Sequence, residues 1–352
     1  MEKKTRDSNI ELLRILTICG VVVLHYNGNV AFSYVQEGSV NFYILYALEW
    51  LFICAVDLFV LISGYFLSGT GRRRSVKAVE LIVQVMVIGV VKYLATCVVN
   101  GNPVSVKSLG GALLPNNYFV TLYITLYLLS PYINLALGRL TDKQYGILTG
   151  LCVLLFSVWP TLLDTISAVT GYVFSGLYTT NSGGSQYGYS LLNFMLLYLI
   201  GGFLRRVGAG GCTLKKCPAG ILLLVCSGLL TLWQTVHPQI ARAYCNPLVI
   251  AEAVLLFLLF QRIHFFSGIV NLLARGAFTC FLLHDVFLWY IGIEKVVVQS
   301  PWVMLGHLFL TVPLIYLVSW LVWRIFDWIT GSVFRWAGKK LHRLDAIISV
   351  DM

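Results

Sequence analysis

Residues 14–26, RILTICGVVVLHY, are apolar apart from a cation at one end and an imidazole near the other. They sit inside a longer apolar run, 10–30, which has the ~20 residues a helix needs to cross a bilayer. An ionisable side chain in such a helix is costly, and so marks a functional position. Arg14 and His25 are 11 residues apart. At ~100° per residue they return to within roughly 20° of one face, and at ~1.5 Å per residue they are about 16 Å apart along the axis. A helix bathed in lipid on that face would not hold such a stripe, so the stripe faces a polar interior.

The rest of the chain has the same character. It is 352 residues long, 58% hydrophobic and only 11% charged, with mean hydropathy +0.82. Soluble domains carry roughly 25% charged residues. The composition therefore predicts an all-α, polytopic membrane protein with about ten spans, at 10–30, 42–67, 76–99, 118–138, 146–170, 189–204, 219–236, 248–262, 273–292 and 303–330. Segments 189–204 and 248–262 are short enough to be tilted or re-entrant, and the alternative is a count of nine or eleven. The first run follows a basic start, but it is long and GNVAFS (28–33) is a poor cleavage site, so it reads as a retained helix.

Charge tests this count. With the N-terminus inside, 18 of the 25 Lys and Arg fall on inside segments and 3 (Lys107, Arg242, Lys295) outside. The inside set begins with Lys3, Lys4 and Arg6 and includes Lys215 and Lys216. Basic residues are retained on the cytoplasmic side, so both termini are expected there. This asymmetry accounts for the net charge of +10 and calls for lipid contact, not a nucleic acid. Most of the nine Cys lie in spans, with Cys212 and Cys217 inside and Cys245 outside. That is no disulfide framework, and without a CxxC pair no metal site is expected. One membrane domain, 1–352, is expected, with no appended soluble domain.

Three further clusters carry chemistry. In GYFLSGTGRRRSVKAVE (64–80), Arg72, Arg73, Arg74 and Lys77 place four cations within six residues, between helices two and three. Glycines 64, 69 and 71 keep that turn open. Guanidinium forks engage phosphate oxygens bidentately, although a topology anchor would look the same. In FTCFLLHDVF (278–287), His284 and Asp285 fall at nearly the depth of His25, about 20 Å against about 22 Å from the inner ends. A carboxylate beside an imidazole fixes its tautomer and raises its basicity. Asp57 lies mid-span in helix two, open between a structural and a cavity-lining role, while Glu49 and Lys92 are expected to pair. The long outer segment GYVFSGLYTTNSGGSQYGYS (171–190) lacks Lys and Arg, and its Tyr and Asn suit either a polar acceptor such as a sugar or the interface.

These residues resemble the integral membrane acyltransferases of acyltransferase family type 3, over nearly the whole chain. The Arg14–His25 pair resembles the family's basic-residue, ten-residue gap, His signature. VDLFVLISGYFLSG (56–69), YFVTLYITLYLLSPYIN (118–134) and FTCFLLH (278–284) resemble later motifs in the expected order. One departure is Arg74-Ser75-Val76-Lys77, with Lys where the family has a second Arg, which changes the grip on a donor but not its charge. The resemblance implies transfer of an acyl group, most often acetyl, from cytoplasmic acyl-CoA to a hydroxyl of a carbohydrate or related acceptor of the bacterial cell envelope. It implies a multi-pass protein of the inner (plasma) membrane, with no metal. Arg14 and the Arg72–Lys77 cluster would bind the donor. His25 would act as general base or as nucleophile, with Asp285, His284 or Asp57 in support. A homodimer is left open. The rival readings are a carrier for a small molecule such as an amino acid, and a non-catalytic envelope scaffold.

Overall fold

The computed structural model describes residues 7–69, 72–114, 116–181, 183–211 and 216–349. Lys3, Lys4, Arg6, Gly71, Cys212 and Lys215 lie outside the described residues, as do the side chains of Lys216 and Cys217. All regular structure among the described residues is helical. Among the described residues nine helices are long and apolar enough to cross a membrane: α1 (Ser8–Tyr34), α2 (Val40–Leu67), α3 (Ser75–Asn100), α4 (Tyr118–Gly138), α5 (Asp142–Thr170), α6 (Leu191–Gly208), α7 (Pro218–Val236), α9 (Gly268–Leu288) and α10 (Pro301–Lys340). The tenth expected span is α8 (Pro247–Gln261), a shorter apolar helix. Its 15 residues reach only about 22 Å, less than a ~30 Å hydrocarbon core.

Helices α1 and α2 form the centre: 61% of each apolar window is buried, against 22% for α3 and α7. Helix α1 packs on α2, α8, α9 and α10, so its Arg14–His25 stripe is turned into protein. Helices α2 and α6 approach most closely at glycines. A Cβ on Gly64 would sit 2.5 Å from the Tyr198 carbonyl oxygen, and one on Gly201 would fall on the Leu61 carbonyl. Small residues permit this backbone approach where no hydrophobic effect drives helices together.

Local chemistry shapes the helices further. Pro131, inside α4, cannot donate to the Tyr127 carbonyl four residues back; the Ser130 hydroxyl donates to it instead, at 2.7 Å. Helix α10 is 40 residues long, or about 60 Å, so it runs well past position 330, where its apolar pattern stops. Trp302 and Trp328 on α10 are 83% and 82% exposed and roughly 39 Å apart along the axis, close to the spacing of the two interfacial belts. The basic end beyond them packs back on the 72–77 turn, where Asp345 accepts from the Ser75 amide and hydroxyl, both at 2.6 Å.

Candidate active site

His25 is the last α-helical residue of α1 before a π-turn, Tyr26–Ala31. Such turns widen a helix by one residue and recur at functional sites. Helix α2 is interrupted opposite it, at Ile53–Cys54. Between these irregularities lies a cavity of about 360 Å³, lined by His25, His284, Asp285, Lys92, Glu49 and Arg242 and by the rings of Tyr118, Tyr189, Tyr244 and Phe281. Helices α1 and α9, 259 residues apart in sequence, meet at its floor. The His25 and His284 rings meet edge to edge and nearly coplanar, with 4.6 Å between centroids and 23° between planes.

The hydrogen bonds dictate the tautomers. His284 Nδ1 bonds the Cys280 carbonyl at 3.1 Å. A carbonyl only accepts, so that nitrogen carries the proton, and in the neutral ring Nε2 is left as acceptor. His284 Nε2 faces His25 Nδ1, so His25 Nδ1 donates. His25 Nε2 therefore keeps its lone pair. This is the protonation state of a general base or a nitrogen nucleophile.

Asp285 lines the same cavity as His284, but its carboxylate is held by Lys92, with Nζ–O distances of 2.7 and 2.8 Å. It lies within electrostatic reach of both rings. The expected Glu49–Lys92 pair does not form. Lys92 turns to α9, while Glu49 accepts from Asn27 at 3.1 Å and faces Arg242 at 3.9 Å. Helix rotation decides this, since depth alone matches Lys92 to either carboxylate. Asp57 is fully buried and does not line the cavity; the Asn193 amide is the polar group facing it. Cys245, in the loop beside Tyr244, has its thiol pushed up to about 12 by burial, which keeps it neutral and unsuited to nucleophilic attack.

The opposite end of the bundle is cationic. Arg14 lies 3.5 Å from Glu11 and 5.6 Å over the Phe66 ring. Arg73 is buried: its guanidinium donates to Ser130 at 2.7 Å and to the Leu67 carbonyl at 3.0 Å, and lies over Tyr127. Its charge is committed to fastening the 72–77 turn to α2 and α4. Arg72 and Arg74 are exposed, and Lys77 pairs with Glu80 at 3.2 Å. Arg74, Lys77 and Arg335 line a cavity of about 270 Å³. A larger one, about 500 Å³, is lined by Arg139, Arg205 and Arg206 with Ser68 and Tyr145. Arg14 lines neither, so the structure gathers Arg74 with Lys77 but does not bring Arg14 to them.

Sequence reasoning missed Arg242, Tyr118, Tyr244 and the Arg139–Arg205–Arg206 cavity, whereas Tyr189 belongs to the outer segment whose tyrosines are read as suited to a polar acceptor or the interface. The tyrosines come from three separate helix ends and loops, so no local pattern announces the set. A family model described as an acyltransferase domain matches residues 7–324. No curated protein and no solved structure matches.

Proposed function

This chain belongs to the acyltransferase family, and on that premise we propose that it transfers an acyl group, most simply acetyl, from cytoplasmic acyl-CoA to a hydroxyl of a cell-envelope glycan. The observation that carries the reading is the directed chain Cys280 carbonyl–His284–His25. It leaves a basic nitrogen in a cavity with room for a sugar hydroxyl and a thioester.

In this mechanism His25 Nε2 takes the proton as the acceptor oxygen attacks the thioester carbonyl. The C–S bond then breaks, and the CoA thiolate leaves and receives that proton from the imidazolium. His284 holds the base in the working tautomer. The Asp285 carboxylate, set by Lys92, balances the transient imidazolium charge. The cationic end faces the cytoplasm, where its exposed arginines and Lys77 would meet the donor's phosphates. The thin pantetheine arm would then pass between helices along the Arg14–His25 stripe. Both termini are cytoplasmic in this placement, the membrane is the plasma membrane, and no metal enters the chemistry.

The test is purified protein in nanodiscs, assayed for unfolding temperature with acetyl-CoA and for acceptor-stimulated CoA release. A ligand that binds only the folded state raises its stability. Stabilisation in wild type and in His25→Ala, with CoA release only in wild type, supports the reading. If acetyl-CoA at saturating millimolar levels stabilises neither protein, the donor assignment fails and the carrier reading takes its place.

A further inference from the structure

A second cavity, of about 400 Å³, opens at the same end of the bundle as the histidine cavity. Asp164, Tyr178, Tyr187, His237 and Gln239 are among its lining residues. Two loops contribute to both cavities. The loop before α6 gives Tyr187 to the second cavity and Tyr189 to the first. The loop before α8 gives Gln239 to the second, and Arg242 and Tyr244 to the first. Tyr187 and Tyr189 are two residues apart, at most ~7 Å along the chain, so the two cavities lie side by side across this loop.

That loop is held in an unusual conformation. Gln186 and Tyr187 have φ of 53° and 51°, and Gly188 follows at 82°. Three successive left-handed residues, two of them not glycine, persist only where the surroundings enforce them, and such strain clusters at ligand sites. Here the Tyr244 amide donates to the Tyr187 carbonyl at 2.9 Å, and a Cβ on Gly188 would lie 2.5 Å from the Cys245 nitrogen. The effect is to turn the Tyr187 ring into one cavity and the Tyr189 ring into the other. The second cavity also carries polar groups aimed inward. The Tyr187 hydroxyl donates to Gln239 Oε1 at 3.0 Å, leaving the Gln239 amide hydrogens to donate. Tyr178 donates to Asp164 at 2.8 Å, leaving the second carboxylate oxygen to accept. Aromatic faces flanked by an amide donor and a carboxylate acceptor match a pyranose, whose C–H face packs on a ring while its hydroxyls reach sideways. The segment contains no Lys or Arg, so the site is not built for phosphate.

We propose that this cavity is a second acceptor subsite, which holds a neighbouring sugar unit of a polymeric glycan while another unit sits at His25. The proposal rests on the glycan-acceptor reading above, and binding separates the two. Saturation-transfer NMR on nanodisc-embedded protein would be run with β-linked glucose and N-acetylglucosamine oligomers of increasing length. A subsite of this kind makes the longer oligomers of at least one series bind roughly tenfold more tightly than the monomer. Tyr187→Asn, which keeps a residue tolerant of positive φ but removes the ring, abolishes that gain, as does Gln239→Leu. His25→Ala keeps it while losing transfer. Equal binding of monomer and oligomer in both series, or a length gain that survives both substitutions, overturns the subsite. Oligomer binding of the expected kind with no acetyl transfer by wild type sustains the subsite and defeats the function assigned to His25.

Discussion

At the scale of single residues, the direction of one hydrogen bond decides what His25 can do. The Cys280 carbonyl accepts only, and this sets the proton on His284 Nδ1 and, through it, the proton on His25 Nδ1. Replacing His284 with Phe preserves ring volume but removes the acceptor for His25 Nδ1. Turnover should fall by about 10²–10⁴-fold, while stabilisation by acetyl-CoA is retained; unchanged turnover would remove the tautomer argument. Arg73 illustrates the opposite outcome for a sequence candidate. It stands in a cluster that reads as a phosphate grip, yet its donors are taken up by Ser130 and the Leu67 carbonyl. Arg73→Gln should therefore lower the unfolding temperature by several degrees, since hydrogen bonds from a buried charged group are worth about 1.5–3 kcal/mol each. The acetyl-CoA-induced shift should be nearly unchanged, whereas Arg74→Ala should reduce it. Equal loss of that shift in both variants would return Arg73 to the donor site.

At the scale of elements, three irregularities border the chemistry, while a second π-turn, Leu154–Val158 in α5, lines neither cavity. The π-turn after His25 and the break at Ile53–Cys54 face one cavity, and the left-handed run 186–188 separates that cavity from its neighbour. The load-carrying contact of the bundle, between α2 and α6, is regular and depends on glycine. Gly201→Val would push side-chain carbon into the α2 backbone. Overpacking costs about 1–3 kcal/mol, so this variant should unfold several degrees lower than wild type. Gly220→Ala on α7, where no atom lies within 4 Å of the added carbon, should leave the unfolding temperature unchanged. If the two variants behave alike, the close approach of α2 and α6 is not what limits stability.

At the scale of the molecule, the ends of the bundle differ in kind. One is aromatic and polar around paired histidines; the other is lined with arginine. The proposed orientation puts the arginine end in the cytoplasm, consistent with retention of basic residues there. Single cysteines placed at exposed Arg72 and Gln239 should be labelled by a membrane-impermeant thiol reagent from opposite faces, position 239 in intact cells and position 72 only in inverted vesicles. Labelling of position 72 in intact cells would reverse the donor and acceptor assignments together.

Composition and apolar run length were enough to establish that this chain is an all-helical membrane protein and roughly where its helices lie, because the cost of an unpaired backbone group in lipid leaves helix as the only open-ended solution. Spacing on one helix also aligned Arg14 with His25, since a single helix fixes angle and rise. Depth along separate helices placed His284 level with His25. What sequence could not supply was rotation of one helix against another. Only the tertiary structure paired Lys92 with Asp285 instead of Glu49 and sank Asp57 below the cavity. It also turned His284 into the partner that sets the tautomer of His25, and brought Tyr118, Tyr189 and Tyr244 from three helix ends into one wall. Those choices depend on which faces pack, and packing between helices in lipid is decided by close steric fit at residues such as Gly64 and Gly201, which hydropathy does not encode.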